Sequence, residues 1–148
     1  MDGHQLELQM KGNRVWIVVE DEPSLRQMLT AMLLYWNVVP LVFADGNQAM
    51  SWIETAVEGL SDDDLPELAL LDIRLPGPHG HEIAQRLRHN PKTADMTLVM
   101  MTAYRIDAIE QEQIERMARP DLLIKKPLPM PDAMKSMIDA ARDARLSA

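Results

Sequence analysis

The sequence contains no cysteine, and only 4% of its 148 residues are aromatic. The absence of cysteine excludes disulfide scaffolds, thiolate zinc sites, iron–sulfur clusters and thiol catalysis. It is typical of a reducing compartment, so we expect a cytoplasmic protein. Basic residues are also few, because 15 Lys and Arg stand against 23 Asp and Glu, for a formal net charge of −8. Direct nucleic-acid binding is therefore not expected, since it requires a basic face.

Long apolar runs are missing as well. No run approaches the roughly 20 residues of a membrane span, so no membrane association is expected. The polar N-terminus lacks the apolar core of a signal peptide, and we interpret residues 1–13 as a short tail. Because domains commonly comprise roughly 100–200 residues, residues 14–146 are predicted to form one domain.

The rest of the chain alternates short apolar runs with helical patterns. Strands are predicted at residues 15–19, 38–43, 68–71, 98–101 and 122–124. Helices are predicted at about residues 23–36, 47–58, 80–89, 107–117 and 131–145, and residues 59–66 are predicted to be a polar loop. Pro40 indicates an edge position or a bulge in the second strand. This alternation predicts an α/β fold, a doubly wound five-stranded parallel sheet with helices on both faces.

Polar side chains follow four of the predicted strands. Glu20 and Asp21 follow the first strand, and Asp72 follows the third. Thr102 follows the fourth strand, and Lys126 follows the fifth. In doubly wound sheets such groups meet beyond the carboxyl ends of the strands. Clustered carboxylates repel one another unless a cation intervenes, and a set of oxygen ligands suits Mg²⁺. A carboxylate in such a site can attack phosphorus, and a hydroxyl and an ammonium can hold the phosphoryl oxygens.

Four segments resemble, in the family's order, the motifs of the response-regulator receiver domain of two-component signalling: VVEDEPSLRQML, LLDIRLPGPHG, MTAY and IKKPL. The resemblance covers about residues 15–145. It implies a flavodoxin-like (βα)5 fold. It also implies transfer of a phosphoryl group from the phosphohistidine of a sensor histidine kinase or phosphotransfer protein to an aspartate.

The resemblance assigns roles at matching positions. Asp72 is the expected phosphoacceptor, Thr102 the switch hydroxyl and Lys126 the phosphate-pairing lysine, with a cis peptide bond between Lys126 and Pro127. Mg²⁺ is expected to be held by Asp21, Asp72 and the backbone carbonyl of Arg74. Glu20 stands where the family often has aspartate, and its extra methylene is expected to keep its contact with the metal water-mediated.

Several positions depart from the family pattern or invite another interpretation. Leu123 replaces the usual aromatic residue and is expected to point inward, so signalling should pass through residues 102–117 instead. Tyr104 is expected to shield an acyl phosphate from water. His79 and His81 are predicted to be exposed, with no transition metal between them.

The resulting hypothesis is a stand-alone receiver that changes a partner-binding surface for a downstream effector protein and catalyses only its own phosphorylation and dephosphorylation. Two alternatives remain open. One is a metal-dependent hydrolase with an aspartyl nucleophile, although Arg74 stands where such enzymes need an acid. The other is a docking domain that works without phosphorylation. The sequence shows no signature of a particular oligomeric state. It is also compatible with a piece of a larger regulator or hybrid kinase.

Overall fold

The described residues form five strands and five α-helices in strict alternation. The computed structural model describes residues 14–103 and 105–148. The strands are β1 (Val15–Val19), β2 (Val39–Phe43), β3 (Leu68–Asp72), β4 (Thr97–Thr102) and β5 (Leu122–Lys125). The α-helices are α1 (Pro23–Tyr35), α2 (Gly46–Thr55), α3 (Gly80–His89), α4 (Ala108–Ala118) and α5 (Pro131–Leu146). The tail predicted at residues 1–13 and the shielding role of Tyr104 lie outside the described residues.

The strands form one parallel sheet in the order β2-β1-β3-β4-β5. This is the doubly wound arrangement predicted from the sequence. The strand with Pro40 lies at the edge of the sheet, as predicted. The amide of Val39 donates to the carbonyl of Arg14 at 2.8 Å, so Pro40, one residue later, turns its nitrogen to the open edge.

Both faces of the sheet are covered by helices. Side chains of a strand alternate between faces, so Ile17 and Val19 join one core while Trp16 and Val18 join the other. Helices α2, α3 and α4 cover the first core, and α1 and α5 cover the second. This double burial explains why the strands are apolar throughout.

The helix starts follow from their capping residues. Glu22 caps α1 by accepting hydrogen bonds from the amides of Ser24 and Leu25 at 3.0 and 2.7 Å. Pro23 occupies the first turn, where its missing N–H costs nothing. Asp45 and Asp107 cap α2 and α4 in the same way.

The segment between α2 and β3 differs from the prediction. Helix α2 ends at Thr55 instead of reaching residue 58, and 3₁₀ turns follow at Val57–Gly59 and Asp62–Asp64 inside what was predicted as helix end and loop. The ammonium of Lys92 donates to the carbonyls of Val57, Glu58 and Leu60, at 3.4, 2.9 and 2.7 Å. These distant contacts favour the tighter turn over a continued α-helix.

Over residues 14–103 and 105–148, no helix is both long enough and apolar enough to cross a membrane.

Candidate functional site

Three carboxylates meet where the central strands β1 and β3 end. Oxygen atoms of Glu20, Asp21 and Asp72 lie within 4.8 Å of one another. Glu20 is 0% exposed and Asp72 is 4% exposed, whereas Asp21 is open to solvent. Parallel neighbours in the sheet end at the same edge, which is why residues far apart in sequence converge here.

Lys126 completes the cluster from the end of β5. Its Nζ lies 2.7 Å from Oε1 of Glu20 and 3.4 Å from Oδ2 of Asp72. The backbone amide of Lys126 donates to the carbonyl of Thr102 at 2.7 Å, and the Lys126–Pro127 peptide bond is cis, as predicted. The structure therefore brings the ammonium between two buried carboxylates.

Both carboxylate oxygens of Glu20 have protein partners. Oε1 accepts from Lys126, and Oε2 accepts from the amide of Glu22 at 3.2 Å. The guanidinium of Arg26 donates to the carbonyls of Glu20 and Asp21 at 3.0 and 3.2 Å, which anchors this turn. The Glu20 side chain is thus held in place by these contacts, while Asp21 is open to solvent.

The pKa of Asp72 reflects this crowding. Burial and the neighbouring charge of Glu20 raise the pKa of Asp72 from 3.8 to about 7, against the opposing effect of Lys126. Burial alone lowers the pKa of the Lys126 ammonium, but its hydrogen bond to Glu20 and the charge of Asp72 outweigh burial, so that pKa is raised. One ammonium therefore leaves the cluster with an excess of negative charge.

The donor set fits a hard divalent cation. All three side chains offer oxygen, the excess negative charge calls for a cation, and Asp21 is accessible. In the described part of the chain, this is the one cluster of His, Asp or Glu side chains close enough together to hold a metal ion.

The other predicted site residues lie at the same edge of the sheet. Thr102 ends β4, is 1% exposed, and lies one residue beyond Met101, the register partner of Asp72. Arg74 is exposed, and its guanidinium pairs with Glu110 of α4 at 2.8 Å. Leu123 is partly buried and packs against the core, in line with its expected inward position.

Two features were missed from the sequence. A Cβ at Gly80 would lie 2.1 Å from the carbonyl oxygen of Asp72, so only glycine lets α3 start this close to β3. In the sequence, Gly80 indicates no more than a turn. The Arg74–Glu110 pair joins residues 36 positions apart, and no local pattern indicates it.

The prediction that His79 and His81 are exposed is wrong. Both rings are half-buried and stack with their centroids 5.7 Å apart. His81 lies near the charged groups of Arg74, Glu82 and Glu110, and burial lowers its pKa. The two residues flank Gly80, at the point where α3 begins against β3.

Comparison with known families gives one match that covers most of the chain. Residues 16–139 match the family described as the response regulator receiver domain.

Curated relatives match over different lengths. The phosphate regulon transcriptional regulatory protein PhoB of Rhizobium meliloti is 32% identical over 139 residues, which is 88% of this chain and 54% of that protein. The DNA-binding response regulator MtrA of Mycolicibacterium smegmatis is 39% identical over 87 residues, 59% of this chain and 33% of that protein. The cyclic di-GMP phosphodiesterase response regulator RpfG of Xanthomonas campestris is 31% identical over 103 residues, 67% of this chain and 25% of that protein. The chain thus spans between a quarter and about half the length of these relatives.

Solved structures share the fold. A CheY-like receiver domain protein from Methanospirillum hungatei superposes with a TM-score of 0.74 at 21% identity, covering 91% of this chain and 98% of that one. The receiver domain of the sensor histidine kinase PA1611 from Pseudomonas aeruginosa, whose structure has a magnesium ion coordinated in the active site cleft, gives 0.72 at 20% identity, with 88% and 98% covered. Taken with the match over residues 16–139, the fold and the acidic edge of the sheet place this chain in the response regulator receiver domain family.

Proposed function

We propose that Asp72 accepts a phosphoryl group from the phosphohistidine of a sensor histidine kinase or phosphotransfer protein, and that this changes a surface bound by a downstream effector protein. The observation that carries the proposal is the position of Asp72, buried at the end of β3 with the Lys126 ammonium 3.4 Å from its Oδ2. A buried acid with a raised pKa and a specific charged partner is typical of a functional site.

The transfer follows from the groups at the site. A carboxylate oxygen of Asp72 attacks phosphorus, an O–P bond forms, and the P–N bond to the donor imidazole breaks with its electron pair remaining on nitrogen. The product is an acyl phosphate. Lys126 is close enough to Asp72 to pair with an oxygen of the new phosphoryl group. Thr102, at the end of β4, is the proposed switch residue, which acts through its hydroxyl.

Mg²⁺ is the proposed cofactor of this site. Asp21, Asp72 and the backbone carbonyl of Arg74 would hold the ion directly, and Glu20 through a water, since both Glu20 oxygens already accept hydrogen bonds from the protein. When bound, the ion supplies positive charge that offsets the carboxylates and the incoming phosphoryl oxygens. The magnesium in the cleft of the PA1611 receiver domain supports this choice.

We propose a signalling role with no catalysis beyond the domain's own phosphorylation and dephosphorylation. The relatives are response regulators, and one of them is a phosphodiesterase response regulator, so this point needs its own test. In this chain Arg74 occupies the position where an aspartyl-nucleophile hydrolase needs an acid, which argues against hydrolysis. The proposed location is cytoplasmic, supported by the cysteine-free composition.

Phosphoryl labelling tests the proposal. The wild type, incubated with Mg²⁺ and acetyl phosphate, should gain one phosphoryl group by intact-protein mass spectrometry, and Asp72→Asn should gain none. Asp21→Ala should need far more Mg²⁺ for the same labelling rate. Equal labelling of wild type and Asp72→Asn contradicts the assignment. Turnover of a phosphate monoester that is lost in Asp72→Asn favours the hydrolase, and a wild type that neither labels nor binds Mg²⁺ favours the docking domain.

A further inference from the structure

An ion pair ties the segment after Asp72 to the first turn of α4. The guanidinium of Arg74 lies 2.8 Å from Oε1 of Glu110, with side chains that are 49% and 28% exposed. The amide of Glu110 donates to Oδ1 of Asp107 at 2.8 Å, so the carboxylate sits on a capped helix start. The pair therefore links the candidate phosphoacceptor segment to the helix that follows β4 in the chain.

The same guanidinium lies within reach of Asp72. Arg74 follows Asp72 by two residues, so their Cα atoms are at most about 7 Å apart, and an arginine side chain covers that distance. Arg74 can thus pair with Glu110 or with an anion on Asp72.

Charge decides between these two partners. Glu110 offers one negative charge, whereas an acyl phosphate on Asp72 would carry about −1.5 to −2 in total and would present oxygens that match the guanidinium fork. We propose that phosphorylation of Asp72 draws Arg74 away from Glu110 and thereby releases the first turn of α4. This inference rests on the proposed phosphorylation of Asp72.

The start of α4 is built to respond to such a release. The buried side chains of α4, Ile114 and Ala118, lie in its second half, and Ile109 in the first half is 72% exposed. The tie to Arg74 therefore acts on the weakly packed end of the helix. Freeing that end changes an exposed face without disturbing the core.

Thermodynamic linkage gives the exchange a defined sign. If a phosphoryl mimic breaks the tie, then removing the tie must strengthen binding of the mimic by the same factor. Exposed ion pairs shift equilibria by a factor of about five at most. A role in holding the site ready for the anion would give the opposite sign, because removing the tie would then weaken binding.

The experiment measures binding of beryllofluoride with Mg²⁺ to the full chain by calorimetry. Glu110→Gln should bind the mimic about two- to fivefold more tightly than wild type. The matched control is Glu112→Gln, because Glu112 is an exposed carboxylate of α4 that pairs at 4.0 Å with Arg116 instead. It should bind as wild type does. In an Arg74→Gln background, Glu110→Gln should have no further effect.

Each possible result either supports or contradicts the proposed exchange of partners by Arg74. Unchanged or weaker binding in Glu110→Gln overturns the exchange, and so does equal tightening in the Arg74→Gln background, which would reflect only the loss of a negative charge near the site. A wild type that binds no beryllofluoride contradicts the proposed function and the exchange together. As a second readout, the amide chemical shifts of Ala108–Ala118 in mimic-free Glu110→Gln should move toward those of the wild type bound to the mimic. Shifts that stay at the mimic-free wild-type positions overturn the release of α4.

Discussion

The ammonium of Lys126 lies closer to one of its two buried carboxylate partners than to the other. Its Nζ is 2.7 Å from Glu20 and 3.4 Å from Asp72, because the longer glutamate side chain reaches the ammonium from the end of β1. Asp72 is therefore left with a partly compensated charge in a buried position. This is the physical reason why its pKa is raised to about 7 by burial first and by Glu20 second.

The raised pKa predicts how stability depends on pH without metal. Because the pKa of Asp72 is higher in the folded protein than the ordinary 3.8, the folded state binds more protons at Asp72 than the unfolded state does between about pH 4 and pH 7. The contribution of Asp72 to stability is therefore fully present below pH 4 and is lost as the pH rises through 7. Asp72→Asn has no carboxyl group at this position and does not lose this stability as the pH rises. Its free energy of unfolding relative to wild type should therefore increase with pH, by up to about 1.4 kcal/mol per pH unit between pH 4 and pH 7.

Urea denaturation at several pH values in EDTA measures this difference. The control is Asp63→Asn, which replaces an exposed aspartate in the 3₁₀ turn Asp62–Asp64. Its free energy of unfolding relative to wild type should vary little with pH. A difference between Asp72→Asn and wild type that stays constant from pH 5 to pH 8 would contradict the assignment of the raised pKa to Asp72.

The identities of the clustered residues could be predicted from the sequence, but their pairing could not. Asp72 directly follows an apolar run, and Asp21 and Lys126 each follow one with a single charged residue between. Parallel strands bring such positions to one end of the sheet. Whether Lys126 pairs more closely with Glu20 or Asp72 depends on side-chain length and packing in three dimensions. The partner of Arg74 likewise depends on where α4 packs, which no spacing in the chain specifies.

Among the elements, α3 approaches β3 so closely that its first residue must be glycine. The amide of Gly80 donates to the carbonyl of Ile73 at 2.9 Å, and a Cβ at Gly80 would lie 2.1 Å from the carbonyl oxygen of Asp72. A second glycine, Gly59, ends a 3₁₀ turn with nothing within 4 Å of the place a Cβ would take. Gly59 is therefore a matched control for Gly80, because a Cβ clashes with backbone at Gly80 and meets open space at Gly59.

Gly80→Ala should displace both the start of α3 and the backbone at Asp72 and Ile73. We expect a loss of about 1–3 kcal/mol in the free energy of unfolding, because the clash is with backbone that cannot rotate away. Labelling of Asp72 by acetyl phosphate should slow as well. Gly59→Ala should change stability by less than about 1 kcal/mol, toward greater stability, and should label at the wild-type rate. Equal stability and labelling of the two variants would show that the approach of α3 does not position Asp72.

The accuracy of the predicted elements depends on how local their causes are. The helix that starts at Pro23 could be predicted because proline and an acidic cap mark it within a few residues. The early end of α2 at Thr55 could not, because Lys92, from a loop after α3, accounts for the turn that follows. Elements shaped by distant side chains are missed for this reason.

Across the whole molecule, the two ends of the parallel strands carry different polar networks. The carboxyl ends carry the acidic cluster, and the amino ends carry Asp121, which directly precedes β5. Asp121 accepts from Arg88 of α3 at 3.0 Å, from Arg145 of α5 at 2.8 Å and from the amide of Leu98 of β4 at 2.8 Å. One carboxylate thus joins helices from both faces to the strand edge, and it does so at the end of the sheet away from the site.

Asp121→Ala should therefore lower stability without affecting the chemistry of Asp72. The guanidinium of Arg88 is 2% exposed, and removing the partner of a buried charge costs about 3–5 kcal/mol. Urea denaturation should show this loss, whereas the control Asp143→Asn, on the exposed side of α5, should remain within about 0.5 kcal/mol of wild type. Below the unfolding transition, Asp121→Ala should still label with acetyl phosphate at the wild-type rate, because none of the contacts it loses reaches Glu20, Asp72 or Lys126. A labelling rate that falls in the fully folded variant would instead mean that the two ends are coupled through β4 and β5.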